Sequence, residues 1–514
     1  MIDQRHAIAF LSDAASYGAA GAVEIIETHI SMIFLVGDRA FKLKRAVSLP
    51  YLDFSTFDLR RQTCEKEVAL NGRVAPDLYL GTRLITRAAD GRLAFDGEGE
   101  AVEIVVEMLR FDQQDLFDRM AEDGRLTTGL MSETAAMIAG FHETAQIDTS
   151  GRGVDNIAAV LDINEAGFAT SGVFSADAVS RLMSRARRVI ADQAACFDRR
   201  AAEGRIRRCH GDLHLRNIVR HHGRPQLFDC IEFSDAIATC DVLYDLAYLL
   251  MDLWHRDLPH FASLVVNRYL DETEDEDGFH LLAFFMAVRA QVRAHVIATQ
   301  AQEGGDADET LARTARRYFG LAEALLAPAP ERLVVLGGFS GSGKSTVAER
   351  LAPQLKPAPG ARLLETDRLR KAMFGMAMAE RLPLEAYRPE VSDRIYEQLR
   401  ERSVAIVKAG GCVIASAVFD RPEQRQAIED AARMAGLSMQ GFWLEVDPEV
   451  LRQRVAGRDP GPSDATVAVL QDQMQHDIGM IDWHRIDAGQ PVEAVAADIH
   501  AALSTTDAEQ LSAD

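Results

Sequence analysis

Long apolar runs are missing from this chain. No stretch of 18 apolar residues occurs, so no transmembrane helix is expected. The first fifteen residues, MIDQRHAIAFLSDAA, hold an apolar run of only five, interrupted on both sides by polar and charged residues, which excludes the pattern of a secretory signal. Cysteine is scarce. Cys64, Cys196, Cys209, Cys230, Cys240 and Cys412 are scattered with no C-x-x-C pair, which speaks against a disulfide framework and for reduced thiols in a cytoplasmic setting. Basic residues are in deficit: 56 Lys+Arg against 78 Asp+Glu leave a net charge of −22, which argues against broad binding to nucleic acid or an anionic membrane but leaves room for a local basic pocket. Low-complexity tracts and internal repeats are absent as well. With 47% hydrophobic and 26% charged residues the composition is that of a globular protein, and 514 residues exceed what one core holds.

What is present begins with Arg332–Leu351, RLVVLGGFSGSGKSTVAERL. Leu333–Leu336 is an apolar run bounded by glycine, the mark of a buried parallel strand. Gly338, Gly343, Lys344 and Ser345 satisfy G-x-x-x-x-G-K-[ST], and a helical pattern opens at Thr346. The spacing has a physical purpose. Glycines let the backbone wrap a phosphate, so the loop Gly338, Ser340, Gly341, Ser342, Gly343, Lys344, Ser345 and Thr346 is expected to bind nucleotide through its N–H groups and the helix N-terminus. Lys344 would reach the β- and γ-phosphates and the Ser345 hydroxyl would ligate Mg²⁺.

Ahead of this motif, residues 2–18 read as an amphipathic helix, followed by short runs at Val23–Thr28, Met32–Val36 and Ala40–Leu43 separated by turn signals, an antiparallel meander. Lys42 and Lys44 share a face in the third run. A helix is expected over Leu59–Val74 with Glu65 and Glu67, roughly 200° apart, so that one faces inward. Val102–Leu109 is a further strand, and residues 115–204 and 241–326 are mostly helical. Arg289 and Arg293, four apart, could meet an anionic substrate, or be inert in surface ion pairs. Ala327–Pro330 reads as a linker. From Glu331 strand, loop and helix repeat, which implies a parallel sheet with helices on both faces, and Ser504–Asp514 reads as a loose acidic tail.

A second chemical stretch lies at Arg208–Phe233, where His210-Gly-Asp212 is followed by Asn217 and, after a His221-His222-Gly turn, by Asp229. It resembles the catalytic loop of the protein-kinase-like fold: an Asp base, an Asn five residues on, and a metal-binding Asp on the next strand. The H-G-D form with Tyr244-Asp245-Leu246-Ala247 is similar to the aminoglycoside phosphotransferase and choline kinase branch, over roughly residues 20–320. That resemblance implies an α+β bilobal domain, small lobe about 20–110 and helical lobe about 111–326, binding ATP and phosphorylating a small hydroxylated molecule. It implies Asp212 as base, Asn217 and Asp229 as Mg²⁺ ligands, Lys42 on the phosphates, Glu67 as its partner, and Glu107–Leu109 as the segment whose backbone meets adenine. Lys44 and Glu65 stay open as alternatives to Lys42 and Glu67; Asp245 is read as mainly structural.

Residues 333 to about 500 resemble P-loop small-molecule and polynucleotide kinases of a zeta-toxin-like branch, an α/β P-loop NTPase domain over 331–503. The resemblance implies Asp367 as proton acceptor, Arg370 on substrate, and Arg454 and Arg458 as lid arginines on transferring phosphate. Ser416 stands where that family places a carboxylate, which implies slow turnover or recruitment of Asp367 for the metal. The order of the two parts resembles bacterial bifunctional phosphotransferase-like/ATP-binding proteins. The expectation is an enzyme with two Mg-ATP sites, without membrane or nucleic-acid partners, or an enzyme in which the P-loop part senses nucleotide and regulates the other.

Overall fold

The structure, a computed structural model, describes residues 4–49, 52–303, 308–457 and 463–511. By their contacts these form two compact units: Met1–Asp162 with Ile190–Asp252, and Ile163–Val189 with Leu253–Asp514.

In the first unit, helix α1 (Arg5–Ser12) stops short of the expected span because the Asp13 carboxylate accepts Ala15 N–H and starts a tight turn. Gly18 closes that turn at φ +65°. Strands β1 (Glu24–Glu27), β2 (Ser31–Val36) and β3 (Arg39–Lys44) form the meander, and α2 (Phe57–Asn71) starts at Thr56, whose hydroxyl accepts Leu59 N–H. Then come β4 (Tyr79–Arg87), β5 (Leu93–Phe95) and β6 (Glu100–Leu109). Together they make an antiparallel sheet in the order β1-β2-β3-β6-β4-β5. Period two divides its side chains between two cores: Phe34, Phe41, Leu43 and Val105 pack with Leu11 of α1, while Leu35, Ala40 and Val106 pack with Cys64 of α2. Lys42 and Lys44 alternate with Phe41 and Leu43, so they project on the α2 side.

Helix α3 (Thr128–Thr144) and the hairpin β7 (Ile218–His221)–β8 (Arg224–Leu227) follow, with His222 and Gly223 at positive φ in the turn. Helix α4 (Val242–His255) carries Asp245 in its first turn.

The second unit contains α5 (Pro259–Thr273), α6 (Leu282–Glu303) and α7 (Glu309–Leu325), packed in one body with the P-loop sheet. The helical stretch Glu276–Gln302 is long and apolar enough to cross a membrane by composition alone, but 78% of its most apolar window is buried inside the protein, as a core helix should be. The sheet is parallel, β10-β11-β9-β12-β13, built from β9 (Arg332–Gly337), β10 (Arg362–Glu365), β11 (Cys412–Ser416), β12 (Met439–Glu445) and β13 (His484–Asp487). Helix α8 (Lys344–Leu351) follows β9, α9 (Thr366–Met373) follows β10, and α10 (Pro389–Lys408) precedes β11. Helices α11 (Pro448–Ala456) and α12 (Val467–Gln473) follow β12, and α13 (Val492–Leu511) continues through most of the stretch that composition alone reads as a loose tail.

Within the second unit, Asn267 of α5 bonds across the Pro/Ala segment at 327–330 to the P-loop sheet. Its buried amide accepts Leu363 N–H at 2.7 Å and donates to Ala361 O at 3.1 Å, satisfying the backbone of the edge strand β10.

Candidate functional site

The first unit gathers its titratable groups into one network. Glu67, buried, bridges both lysines of β3: Lys42 Nζ lies 2.9 Å from Oε1 and Lys44 Nζ 2.5 Å from Oε2. Glu65 lies on the outer face of α2, paired with Arg61 at 2.9 Å. Lys42 also reaches Asp229 Oδ1 at 2.6 Å, and Lys44, 1% exposed, reaches Glu232 Oε1 at 2.5 Å. The two lysines that sequence pattern leaves as alternatives thus share one acid. Electrostatics follow from this packing. Burial alone would raise Glu67, but Lys42 and Lys44 bring it down to about 2. Burial opposes the charge on Lys42 too, yet Asp229 and then Glu67 hold it well above the ordinary lysine range. At Glu232 burial outweighs the pull of Lys44, and its carboxyl is raised. Glu232 was not anticipated; the signal was an acid in the apolar run FDCIEF.

The H-G-D loop is braced from behind. Asp245 Oδ1 accepts Gly211 N–H at 2.8 Å, and Oδ2 accepts His210 N–H at 3.1 Å and lies 3.1 Å from His142 Nε2. His142, Cys209 and Asp245 place their ligand atoms within 4.8 Å of one another, but both Asp245 oxygens are already engaged, so this group braces the loop. Gly211 turns at φ +85° with Ala238 Cβ 3.1 Å from where its own Cβ would sit, so a side chain there would be both strained and crowded. His210 Nε2 meets Phe228 O at 2.9 Å, and burial lowers this histidine. On the front, Asn217 Nδ2 donates to Asp212 O at 2.8 Å and to its Oδ2 at 2.9 Å. Asp212 and Asp229 keep 38% and 41% of their side chains exposed, in a network otherwise closed to water. Asp229 sits at φ +63° with its N–H on Tyr79 OH at 3.2 Å, a backbone strain the surrounding structure enforces.

Glu107 and Leu109 lie inside the sheet. Glu107 pairs with Phe41 on one side and Gly81 on the other, and Leu109 N–H donates to Leu78 O at 2.8 Å. The Leu109 amide is therefore engaged within the protein. Arg289, buried on α6, and Arg293, whose guanidinium lies 5.7 Å from the Tyr318 ring, belong to the second unit.

In the second unit the P-loop has the local geometry its glycines require. Gly338, Gly341 and Gly343 take φ +143°, +88° and +91°. A Cβ on Gly338 would lie 2.8 Å from Ser342 Oγ, and one on Gly341 2.9 Å from Val455 of α11. Lys344 Nζ donates to Gly338 O at 2.7 Å and Phe339 O at 3.1 Å, folding over its own loop. Ser345 and Thr346 are exposed at the start of α8, while Ser342 Oγ is buried without a hydrogen-bond partner. Ser340 N–H donates to Gln473 Oε1 of α12 at 3.0 Å, a contact the sequence did not suggest.

Asp367, in the first turn of α9, is half-buried. Removal from water raises it above the ordinary carboxylate range, against Ser463 and Lys344, which act to lower it. Arg370 is buried, donates to Ala386 O at 2.6 Å and lies 5.0 Å from the Tyr387 ring. Arg454 reaches away from the loop, to Ala488 O at 3.2 Å, because α11 turns that face toward the end of β13. Arg458 lies outside the described residues. Ser416 ends β11 between Leu336 and Glu365. Asp420 and His476, 2.6 Å apart, form a further pair that sequence reasoning missed.

Comparison with known proteins matches residues 93–285 to the phosphotransferase enzyme family and residues 333–476 to the AAA domain family. An uncharacterised protein of Mycobacterium tuberculosis is 28% identical over 484 residues, 92% of this chain and 93% of that protein. A choline/ethanolamine kinase family protein from Mesorhizobium loti covers 63% of this chain and 95% of its own at 14% identity and a TM-score of 0.42. A sugar kinase from a Janibacter species covers 34% and 95% at 23% identity and a TM-score of 0.27. With the H-G-D loop in one matched segment and the P-loop in the other, the chain is a phosphotransferase enzyme that joins a phosphotransferase-family segment to an AAA-type P-loop segment.

Proposed function

We propose that the protein transfers the γ-phosphoryl group of ATP to hydroxyl groups of small molecules, with one Mg-ATP site in the first unit and another at the P-loop of the second. The observation that carries the reading is the meeting of Lys42, Glu67 and Asp229 beside the Asp212–Asn217 loop. Phosphoryl transfer asks for positioning and charge stabilisation more than covalent chemistry. Asp212, partly open, accepts the proton of the attacking hydroxyl; Asn217 keeps its carboxylate turned to that task. Lys42, held charged by two acids, grips the α- and β-phosphates.

Asp229 and Asn217 would hold Mg²⁺ in the first site. The fit is good because Asp229 is the open carboxylate of an otherwise buried network. When bound, the ion offsets phosphate charge that Lys42 alone would not balance. In the second site Ser345, exposed at a helix start, would be the direct ligand, and the unpartnered Glu365 Oε1 beside Ser416 is a donor of the right chemistry. Asp367, raised by burial, is the base there, and Arg370 its neighbour on the substrate side. The six cysteines are free and buried, which agrees with a reducing compartment.

The test is ADP release by wild type, Asp212→Ala and Lys344→Ala across hydroxylated metabolites, aminoglycosides and oligonucleotides. Each variant is expected to lose a different set of substrates, and oligonucleotides to be inert. If both silence one and the same activity, one site regulates the other and the two-kinase reading is wrong.

A further inference from the structure

Glu365 ends β10 next to Ser416 in the parallel register. Leu363 and Ile414 of these strands pack with Val347, Ala348 and Leu351 of the P-loop helix α8 in one apolar cluster, and period two carries Glu365 and Ser416 onto that same face. The Glu365 side chain is 7% exposed. Its Oε2 takes Arg368 Nε at 2.7 Å, and its Oε1 has no hydrogen-bond partner.

That half-satisfied state has a visible cause. At two other buried pairs the guanidinium covers both oxygens of its acid: Arg60 Nε and Nη2 on Glu103 at 2.9 and 2.7 Å, and Arg200 Nε and Nη2 on Asp241 at 2.7 and 2.8 Å. Arg368 does not do this to Glu365: only its Nε meets the carboxylate. Asp271 of α5 takes its Nη1 at 3.1 Å, and Nη2 is turned toward Glu349 of α8 at 4.0 Å. The other oxygen of Asp271 is engaged by Arg362 Nη1 at 2.8 Å, so Asp271 is itself anchored. Asp271 lies upstream of residues 333–476, outside the P-loop segment.

We infer that Asp271 is a positioning residue for the P-loop site, acting through Arg368 to leave one Glu365 oxygen for the cation that accompanies the nucleotide. The inference rests on the reading of this loop as a Mg-nucleotide site. The carboxylate that Ser416 does not supply then comes from the neighbouring strand, and a helix outside the P-loop segment sets its orientation. Without Asp271 the guanidinium closes on both Glu365 oxygens and neutralises the donor.

The experiment is calorimetric ADP binding to the full chain, with Mg²⁺ and with EDTA, in the binding phase that Lys344→Ala removes. Asp271→Asn is expected to lose roughly tenfold to hundredfold of the Mg²⁺-dependent gain in affinity, the range for outer groups that orient metal ligands, while affinity in EDTA is unchanged. Asp271→Glu is expected to restore the gain. Glu276→Gln breaks contacts to Arg362 (2.8 Å) and Arg402 (2.7 Å) in the same buried network without touching Arg368 or Glu365, and is expected to keep it. Should Asp271→Asn not fold, Arg368→Lys reads the same relay and is expected to lose the gain. The inference is overturned if Asp271→Asn or Glu365→Gln keeps the full gain, or if Glu276→Gln loses as much. If Lys344→Ala removes no binding phase, the nucleotide reading of the loop itself fails, and the inference with it.

Discussion

The two clusters hold their polar groups in opposite ways. In the first, Lys42, Lys44, Glu67, Asp229 and Glu232 compensate one another without any ligand, so their geometry is preassembled. In the second, Lys344 is folded onto loop carbonyls, and Ser342 Oγ and Glu365 Oε1 are buried without partners. Buried polar atoms without partners are costly, and a phosphate or cation would relieve that cost. The first cluster is closed by its own charges, whereas the second leaves two buried polar atoms without a protein partner.

The comparison breaks most sharply at Asp212. Asp212→Ala is expected to lower transfer at the first site by about 10²–10⁴-fold, the usual range for a general base, with ADP affinity unchanged; initial rates and calorimetry measure both. Equal loss of rate and affinity would mean that Asp212 holds nucleotide instead. Next comes stability. Glu67→Ala leaves two lysines without their shared acid and is expected to destabilise the first unit by roughly 3–5 kcal/mol in urea unfolding, whereas Lys344→Ala, which removes the hydrogen bonds to Gly338 O and Phe339 O, is expected to cost less, about 1 kcal/mol.

Acid sharpens the same contrast. Glu67 falls from its ordinary 4.5 to about 2 in the folded state, so the stability it contributes is fully present above pH 4.5 and is lost as pH falls toward 2. Glu67→Gln is expected to flatten that part of the stability-against-pH curve; an unchanged slope would show that the lysines do not hold it. The smallest effect is expected at Ser416. If Glu365 already serves the metal, Ser416→Asp changes P-loop transfer by less than about tenfold, and a larger rise in ADP release would show that the missing carboxylate had limited the site.

Much of this was legible because it is local. G-x-x-x-x-G-K-[ST] carries its own conformation: Gly338, Gly341 and Gly343 adopt the positive φ that glycine alone takes readily. The H-G-D…N…D spacing is likewise a hairpin with its turn residues in place. Period two put Lys42 and Lys44 on one face, and the helical period allowed only one of Glu65 and Glu67 inside. What was not legible depends on partners far along the chain. Nothing near Lys44 announces Glu232, 188 residues away, and nothing near Glu107 says that strands close on both its sides.

The sequence by itself determined two phosphate-binding motifs, a meander ahead of helices, and a parallel sheet behind the P-loop, since each follows from the spacing of nearby residues. Tertiary structure decided that Glu67 serves two lysines, that the Leu109 amide belongs to the sheet, and that α5 completes the edge strand of the P-loop sheet and grips Arg368. These depend on which surfaces meet, and a carboxylate chooses its cation by distance in space, where Coulomb energy acts, not by separation along the chain.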